Sequence, residues 1–279
     1  MSAPTGNRPP TLDAYPSYLH LLAALHRRLR PARYREIGVN EGHSLALAGP
    51  TTRLVGVDPE PRIGDLDHPD WKVVSSTSEE FFASHDVSGL LGGPVDLAFV
   101  DGLHHFEVAL ADVLAVERYA HPGTVVLVHD VVPINASTST RERATVVWSG
   151  DVWKTIVALR RHRPDLVITT LDVAPTGMAL ITGFGTHQGD AHDGEQYGAF
   201  DQKSNAWFDA AVATLLSATY DDFVAMGPDA LGIVPCTRQT VDKCLAPLFP
   251  ICSDKPPEPD LDRSLSSQRI SGTLWEEGV

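Results

Sequence analysis

The stretch VDLAFVDGLHHFEVALADV, residues 95–113, changes character twice. It opens as a short apolar run, VDLAFV. It then passes through Asp101, Gly102, His104 and His105, and resumes as the helical repeat FEVALADVLAVERYA. Consecutive apolar residues suit a strand covered on both faces. An apolar stripe at a period of 3.6 residues suits an amphipathic helix. A strand that ends in an aspartate and two histidines brings proton-carrying groups to the rim of a sheet.

The same strand–helix alternation extends in both directions. RYREIGV, RLVGVD, WKVVSS, GTVVLVHD, DLVITTLD and GMALITG read as strands. HSLALA, SEEFFASH and DVWKTIVALRRH read as helices between them. Upstream, YPSYLHLLAALHRRL places Tyr18, Leu21, Leu22, Leu25 and Leu29 on one helical stripe. Such alternation implies an α/β fold with a mostly parallel sheet and helices on both faces. Ligands of such sheets bind outside the carboxyl ends of the strands. Gly38, Asp58, Asp101 and Asp130 each fall at or just past a strand end, so they are expected on one rim.

Composition narrows the class. The chain has 279 residues, 43% of them hydrophobic, and a formal net charge of -14. That charge argues against a nucleic-acid binder, whose affinity comes largely from Lys and Arg on phosphates, and against an anionic membrane surface. No apolar run approaches the ~18 residues of a membrane span, and MSAPTGNRPP lacks the apolar centre of a signal peptide. Cys236, Cys244 and Cys252 match no zinc pattern. Their odd number suits a reducing cytosol and a cytoplasmic protein.

The first strand ends in EIGVNEGHS. A pyrophosphate cradle would carry G-x-G-x-x-G; only Gly38 and Gly42 are present. The loop can turn tightly and admit a ligand, but the cradle is incomplete. Asp58 ends the next strand, where a carboxylate can accept hydrogen bonds from both hydroxyls of a ribose. The pair suits a nucleoside without a pyrophosphate, with S-adenosylmethionine (SAM) as the candidate. Glu36 or Glu41 could hold its ammonium group.

YREIGVNEGHSLALA, LVGVDPEP, TSEEFF, DLAFVDGLHHFEVALADV and GTVVLVHDVVP, in this order, resemble the class I SAM-dependent methyltransferases. WSGDVWKTIVALRRHRPDL and PTGMALITG add a likeness to the small-molecule O-methyltransferases of natural-product pathways, including those acting on macrolide sugars. The resemblance spans about residues 15–185. It implies a Rossmann-like, seven-stranded, mostly parallel sheet whose last strand is antiparallel. It also implies cofactor contacts at Glu36, Gly38, Asn40, Gly42, Ser44, Asp58, Thr77, Ser78 and Asp101.

In the metal-dependent branch, which includes catechol O-methyltransferases, residues after the fourth and fifth strands hold a divalent ion. Asp101, His129 and Asp130 occupy those positions here. The carboxylates suit Mg²⁺, and an imidazole in the set favours a transition metal. His104 stands where the relatives place a basic group facing the substrate, with His105 as the competing choice. A histidine can take a hydroxyl proton near neutral pH. Lys154, with Asp151, opens a helix near the same rim and is a second catalytic candidate; Asp151 serves equally well as a helix cap.

The expected organisation is a flexible N-terminus (1–14), a SAM-binding domain (15–185) and a helical extension or lid with an extended tail (186–279). The extension could join copies of the chain into a homo-oligomer. THQGDAHDGEQYG within it reads as a solvated loop, and SNAWFDAAVATLLSATYDDFVAM as helical. The expected partner is a hydroxylated small-molecule acceptor. Two alternatives stay open: the same scaffold running oxygenase-like or cyclase chemistry, and a cofactor-binding protein without turnover.

Overall fold

A computed structural model describes residues 13–64, 66–185 and 206–248. The expectations for 1–12, for the loop at 186–198, for Cys252 and for the extended tail lie outside the described residues.

The strands are β1 (Arg33–Ile37), β2 (Arg53–Asp58), β3 (Trp71–Ser75), β4 (Val95–Val100), β5 (Ala120–His129), β6 (Val167–Asp172), β7 (Met178–Thr182) and β8 (Ile233–Pro235). They form one sheet in the order β3-β2-β1-β4-β5-β7-β6-β8. Pairing is parallel from β3 to β5, and β7 runs antiparallel to both β5 and β6. The chain order reverses at β1 and β4. That reversal opens a crevice above their carboxyl ends, where ligands of such sheets bind.

The helices are α1 (Tyr18–Leu29), α2 (Ser78–Ser84), α3 (Val87–Leu91), α4 (Phe106–Glu117), α5 (Trp153–His162), α6 (Ala206–Leu215), α7 (Tyr220–Leu231) and α8 (Arg238–Leu245). Alternation along the strands divides the core. Ala98, Val100, Val126 and Val128 face α2 and α4–α7, whereas Leu97, Phe99, Val125 and Leu127 face α1 and α8. Leu21, Leu22 and Leu25 of the α1 stripe are fully buried, as the periodicity implies.

Three details differ from the sequence expectation. The sheet has eight strands, not seven, because Ile233–Pro235 pairs in parallel with the outer edge of β6. The segment HSLALA forms only a short 3₁₀ turn, Leu45–Leu47. The long helical segment after Asn205 is two helices, α6 and α7, with a kink at Gly227 before Pro228. Cys236 is buried and Cys244 half-buried, both as free thiols. Among the described residues no helix is long and apolar enough to cross a membrane.

The segment 206–248 shares the core of the sheet. Phe208, Phe223 and Leu231 lie in the same cluster as Val126 and Ile156, and the Leu231 carbonyl accepts the Thr170 hydroxyl at 2.6 Å. Leu231→Ala is therefore expected to cost about 2–5 kcal/mol, read as a lower urea midpoint in a single transition. A separate early transition for the C-terminal segment would contradict this packing.

Candidate active site

Gly38 follows β1 with φ +84, and a Cβ built there would lie 2.0 Å from the Asp101 carbonyl oxygen. Only glycine lets the β1 loop pass this close to the end of β4. The Gly38 amide donates to the Val57 carbonyl, and the Asp101 amide to the Ile37 carbonyl, each at 2.8 Å. Three strand ends are thereby locked edge to edge.

Asp58 pins the loop from the other side. Its Oδ2 accepts the Asn40 amide and its Oδ1 the Glu60 amide, both at 2.8 Å. Each oxygen keeps acceptor capacity, and the residue is partly exposed. Asn40, at φ 48, accepts from Arg62 at 2.6 Å. Gly42 has φ +78 and approaches Ile63.

Glu36 does not reach the cleft. It is fully buried, with Oε1 accepting from Ser44 at 2.6 Å and Oε2 from the Tyr34 phenol at 2.7 Å. Burial pushes its carboxyl up to about 8, against the pull of those two hydrogen bonds. In this structure the Glu36 carboxyl and the Ser44 hydroxyl are paired with each other. Both were expected among the cofactor contacts. Thr77 caps α2 by accepting the Glu80 amide, and Ser78 bonds to the buried Asp112, whose carboxyl burial pushes up to about 7.

The rim beyond β4 and β5 holds a compact box. His129 Nδ1 lies 3.1 Å from Asp101 Oδ1 and 3.2 Å from Asp130 Oδ2. His104 Nε2 lies 3.2 Å from the same Asp130 oxygen and 3.5 Å from the same Asp101 oxygen. His104 Nδ1 is 2.7 Å from the Trp148 carbonyl. A carbonyl only accepts, so Nδ1 carries the proton, and Nε2 faces the two carboxylates. Trp148 also stacks on the His104 ring, with centroids 4.8 Å apart. Asp130 has φ 63, a left-handed conformation that aspartate tolerates at some cost. Thr176 fixes it there, donating its hydroxyl to Asp130 Oδ1.

Burial opposes charge throughout the box, and the partners outweigh it. His129 is pushed up to about 10 by Asp130 and Asp101 against its desolvation. His104 is raised by the same carboxylates against the same penalty. Burial would raise Asp101, but His129 and His104 hold it well below the usual carboxylate range.

The expected metal set was Asp101, His129 and Asp130. His129 Nδ1 lies beside both carboxylates, and His104 Nε2, turned inward by the Trp148 carbonyl, joins Asp101 and Asp130 in a group of atoms within 4.8 Å of one another. His105 turns away to the Arg141 carbonyl at 3.1 Å. Lys154 is buried, its Nζ held by Asp151 Oδ2 and the Leu216 carbonyl, both at 3.1 Å. In this arrangement it braces α5 against the turn after α6. Asp151 accepts the Phe106 amide at the start of α4 and pairs with Arg141, which also grips Glu107. Trp148 was missed by the sequence reading; an aromatic in the otherwise polar loop RERATVVWSGD was its only signal. Thr176 gave none.

The pattern of residues 35–131 matches a protein-family model described as a methyltransferase domain. No curated protein matches the chain. Similar solved structures include cofactor-bound Rv0187 from MTB, 22% identical, covering 63% of this chain and 84% of its own, with a TM-score of 0.48. Another is the O-methyltransferase TomG from Streptomyces achromogenes, involved in tomaymycin synthesis and solved with SAM, at 20% identity, 59% and 78% coverage and a TM-score of 0.43. A third is an O-methyltransferase from Bacillus cereus in complex with SAH, at 14%, 62% and 84%, and 0.43.

Glu36 supplies a test of the buried side of the cleft. Unfolded, its carboxyl titrates near 4.5; folded, near 8. Between those values the unfolded chain ionises and the folded chain does not, so this group makes stability fall as pH rises through the window. Glu36→Gln is expected to flatten that loss and to raise Tm by a few degrees at pH 8 relative to the parent, with little change at pH 5. An unchanged pH profile of Tm would contradict the assignment.

The span that matches the methyltransferase-domain model runs from within β1 to just past the end of β5 and contains Gly38, Asp58 and the whole Asp–His box.

Proposed function

We propose that this enzyme transfers the methyl group of SAM to a hydroxyl of a small-molecule acceptor. The observation that carries the reading is the aim of His104: its Nδ1–H is tied to the Trp148 carbonyl, and its Nε2 points at Asp101 and Asp130 on the rim. The loop from Gly38 to Gly42 and the free acceptor capacity of Asp58 fit a ribose and a short amino-acid chain. SAM, when bound, supplies an electrophilic methyl group on a sulfonium. The acceptor oxygen forms the new O–CH₃ bond as the S–CH₃ bond breaks. In its neutral form, with the proton on Nδ1, His104 takes the hydroxyl proton at Nε2, and Asp101 and Asp130 stabilise the imidazolium that results. The resemblance in the sequence also supports an acceptor from natural-product metabolism.

A second reading of the box rests on its donor set. Two carboxylate oxygens and one imidazole nitrogen within 4.8 Å fit a divalent cation, and such an arrangement needs a positive charge at its centre. Asp101, Asp130 and His104 would hold the ion. It would polarise an acceptor oxygen and lower its pKa.

The test is methyl transfer from isotope-labelled SAM to a panel of hydroxylated small molecules. His104→Ala is expected to lower turnover by about 10²–10⁴-fold with the SAM Kd unchanged by calorimetry. Asp58→Ala is expected to weaken SAM binding by about 1–3 kcal/mol. Full activity in His104→Ala would refute the proton-transfer role. Mn²⁺ bound by the parent and lost in Asp130→Ala, followed by electron paramagnetic resonance, supports the cation. Activity that survives a chelator, with no Mn²⁺ bound, removes it.

A further inference from the structure

His129 is held at one nitrogen only. Its Nδ1 meets Asp101 and Asp130, while Nε2 is buried with no hydrogen-bond partner among the described residues. The χ2 torsion is broad and roughly two-fold, and the contacts at Nδ1 are its polar restraint, with none added at Nε2. Ring packing adds the second restraint on the ring plane. The Tyr18 ring lies against it, with centroids 4.1 Å apart and planes inclined by 33°. On the strand side Phe99 stands 6.1 Å away at 54°, and it stacks on Tyr18 as well, at 6.2 Å. Tyr18 is itself fastened: its amide donates to the Ala174 carbonyl at 3.0 Å. That contact lies two residues before Thr176, which fixes Asp130. The carboxylates of Asp101, Asp130 and Glu36 all oppose ionisation of the phenol, which burial also disfavours, so Tyr18 stays neutral beside the box.

We propose that Tyr18 is a positioning residue of the reaction centre: its ring clamps the His129 imidazole so that Nδ1 bridges Asp101 and Asp130. Helix α1 lies outside the matched domain, which starts at residue 35, and it thereby becomes a working part of the site. The relevance to methyl transfer rests on the reading above; the clamp itself does not.

Three variants separate the ring face from bulk and from the hydroxyl. Tyr18→Phe keeps the face, Tyr18→Leu keeps apolar bulk, and Tyr18→Ala removes both. The direct readout is the long-range ¹H–¹⁵N spectrum of ¹⁵N-histidine-labelled enzyme, with His129 assigned by His129→Gln. The parent and Tyr18→Phe are expected to give one matching His129 ring pattern. Tyr18→Leu and Tyr18→Ala are expected to give broadened or doubled signals, with Tm for Tyr18→Leu within a few degrees of the parent. Where Mn²⁺ binds, its Kd is expected to rise tenfold or more in Tyr18→Leu and less than twofold in Tyr18→Phe. A single parental His129 pattern in Tyr18→Leu would overturn the clamp, whether or not the enzyme transfers methyl groups. An intact clamp pattern without methyl transfer would instead overturn the functional reading and leave the positioning role standing.

Discussion

Two carboxylates, Asp101 and Asp130, are held side by side at the ends of adjacent parallel strands and largely withdrawn from water. Like charges in such a place repel, and neither is well hydrated. The fold answers with two imidazoles, His104 and His129, each placed between the same two oxygens. Most of the surrounding structure serves that balance. Thr176 holds Asp130 in its left-handed conformation. Trp148 turns the His104 ring inward by its carbonyl and packs on its face. A centre that demands positive charge between two carboxylates is also one suited to take up a proton or a cation.

The loop that carries Trp148 is secured far from the cleft. Arg141 joins Glu107 of α4 to Asp151, and Asp151 also accepts the Phe106 amide and the Lys154 ammonium. Lys154 in turn reaches the Leu216 carbonyl beyond α6. The C-terminal helices therefore reach the Asp–His box indirectly, through the loop they brace. A cavity of about 380 Å³ lies at this junction, lined by Arg141, Asp151, Lys154, Ser217 and Tyr220 among others; its charged side chains belong to the brace, apart from the Asp–His box.

The rim was legible in the sequence because it depends on local pattern. Gly38, Asp58, Asp101 and Asp130 end strands whose apolar runs are plain, and parallel alternation brings such ends together. What the sequence concealed depends on neighbours from distant segments. Glu36 reads as a cleft carboxylate, yet Tyr34 and Ser44 close over it. Lys154 reads as a reactive amine near the rim, yet the turn at Leu216 buries it. The inward turn of His104 depends on a carbonyl 44 residues away. Strand β8 is only three residues long and ends in a proline, too little pattern to read. Tyr18 was visible as one of an apolar stripe, but nothing in that stripe indicates that its ring faces a histidine.

The most direct test of this account is a crystal structure of the enzyme grown with SAH and Mn²⁺, with the metal located by anomalous scattering. The account predicts ribose hydroxyls on Asp58, the thioether sulfur facing the box, and His104 Nε2 still directed at Asp101 and Asp130, with any Mn²⁺ peak between them. SAH bound away from Asp58, or with its sulfur turned from Asp101 and His104, would contradict it.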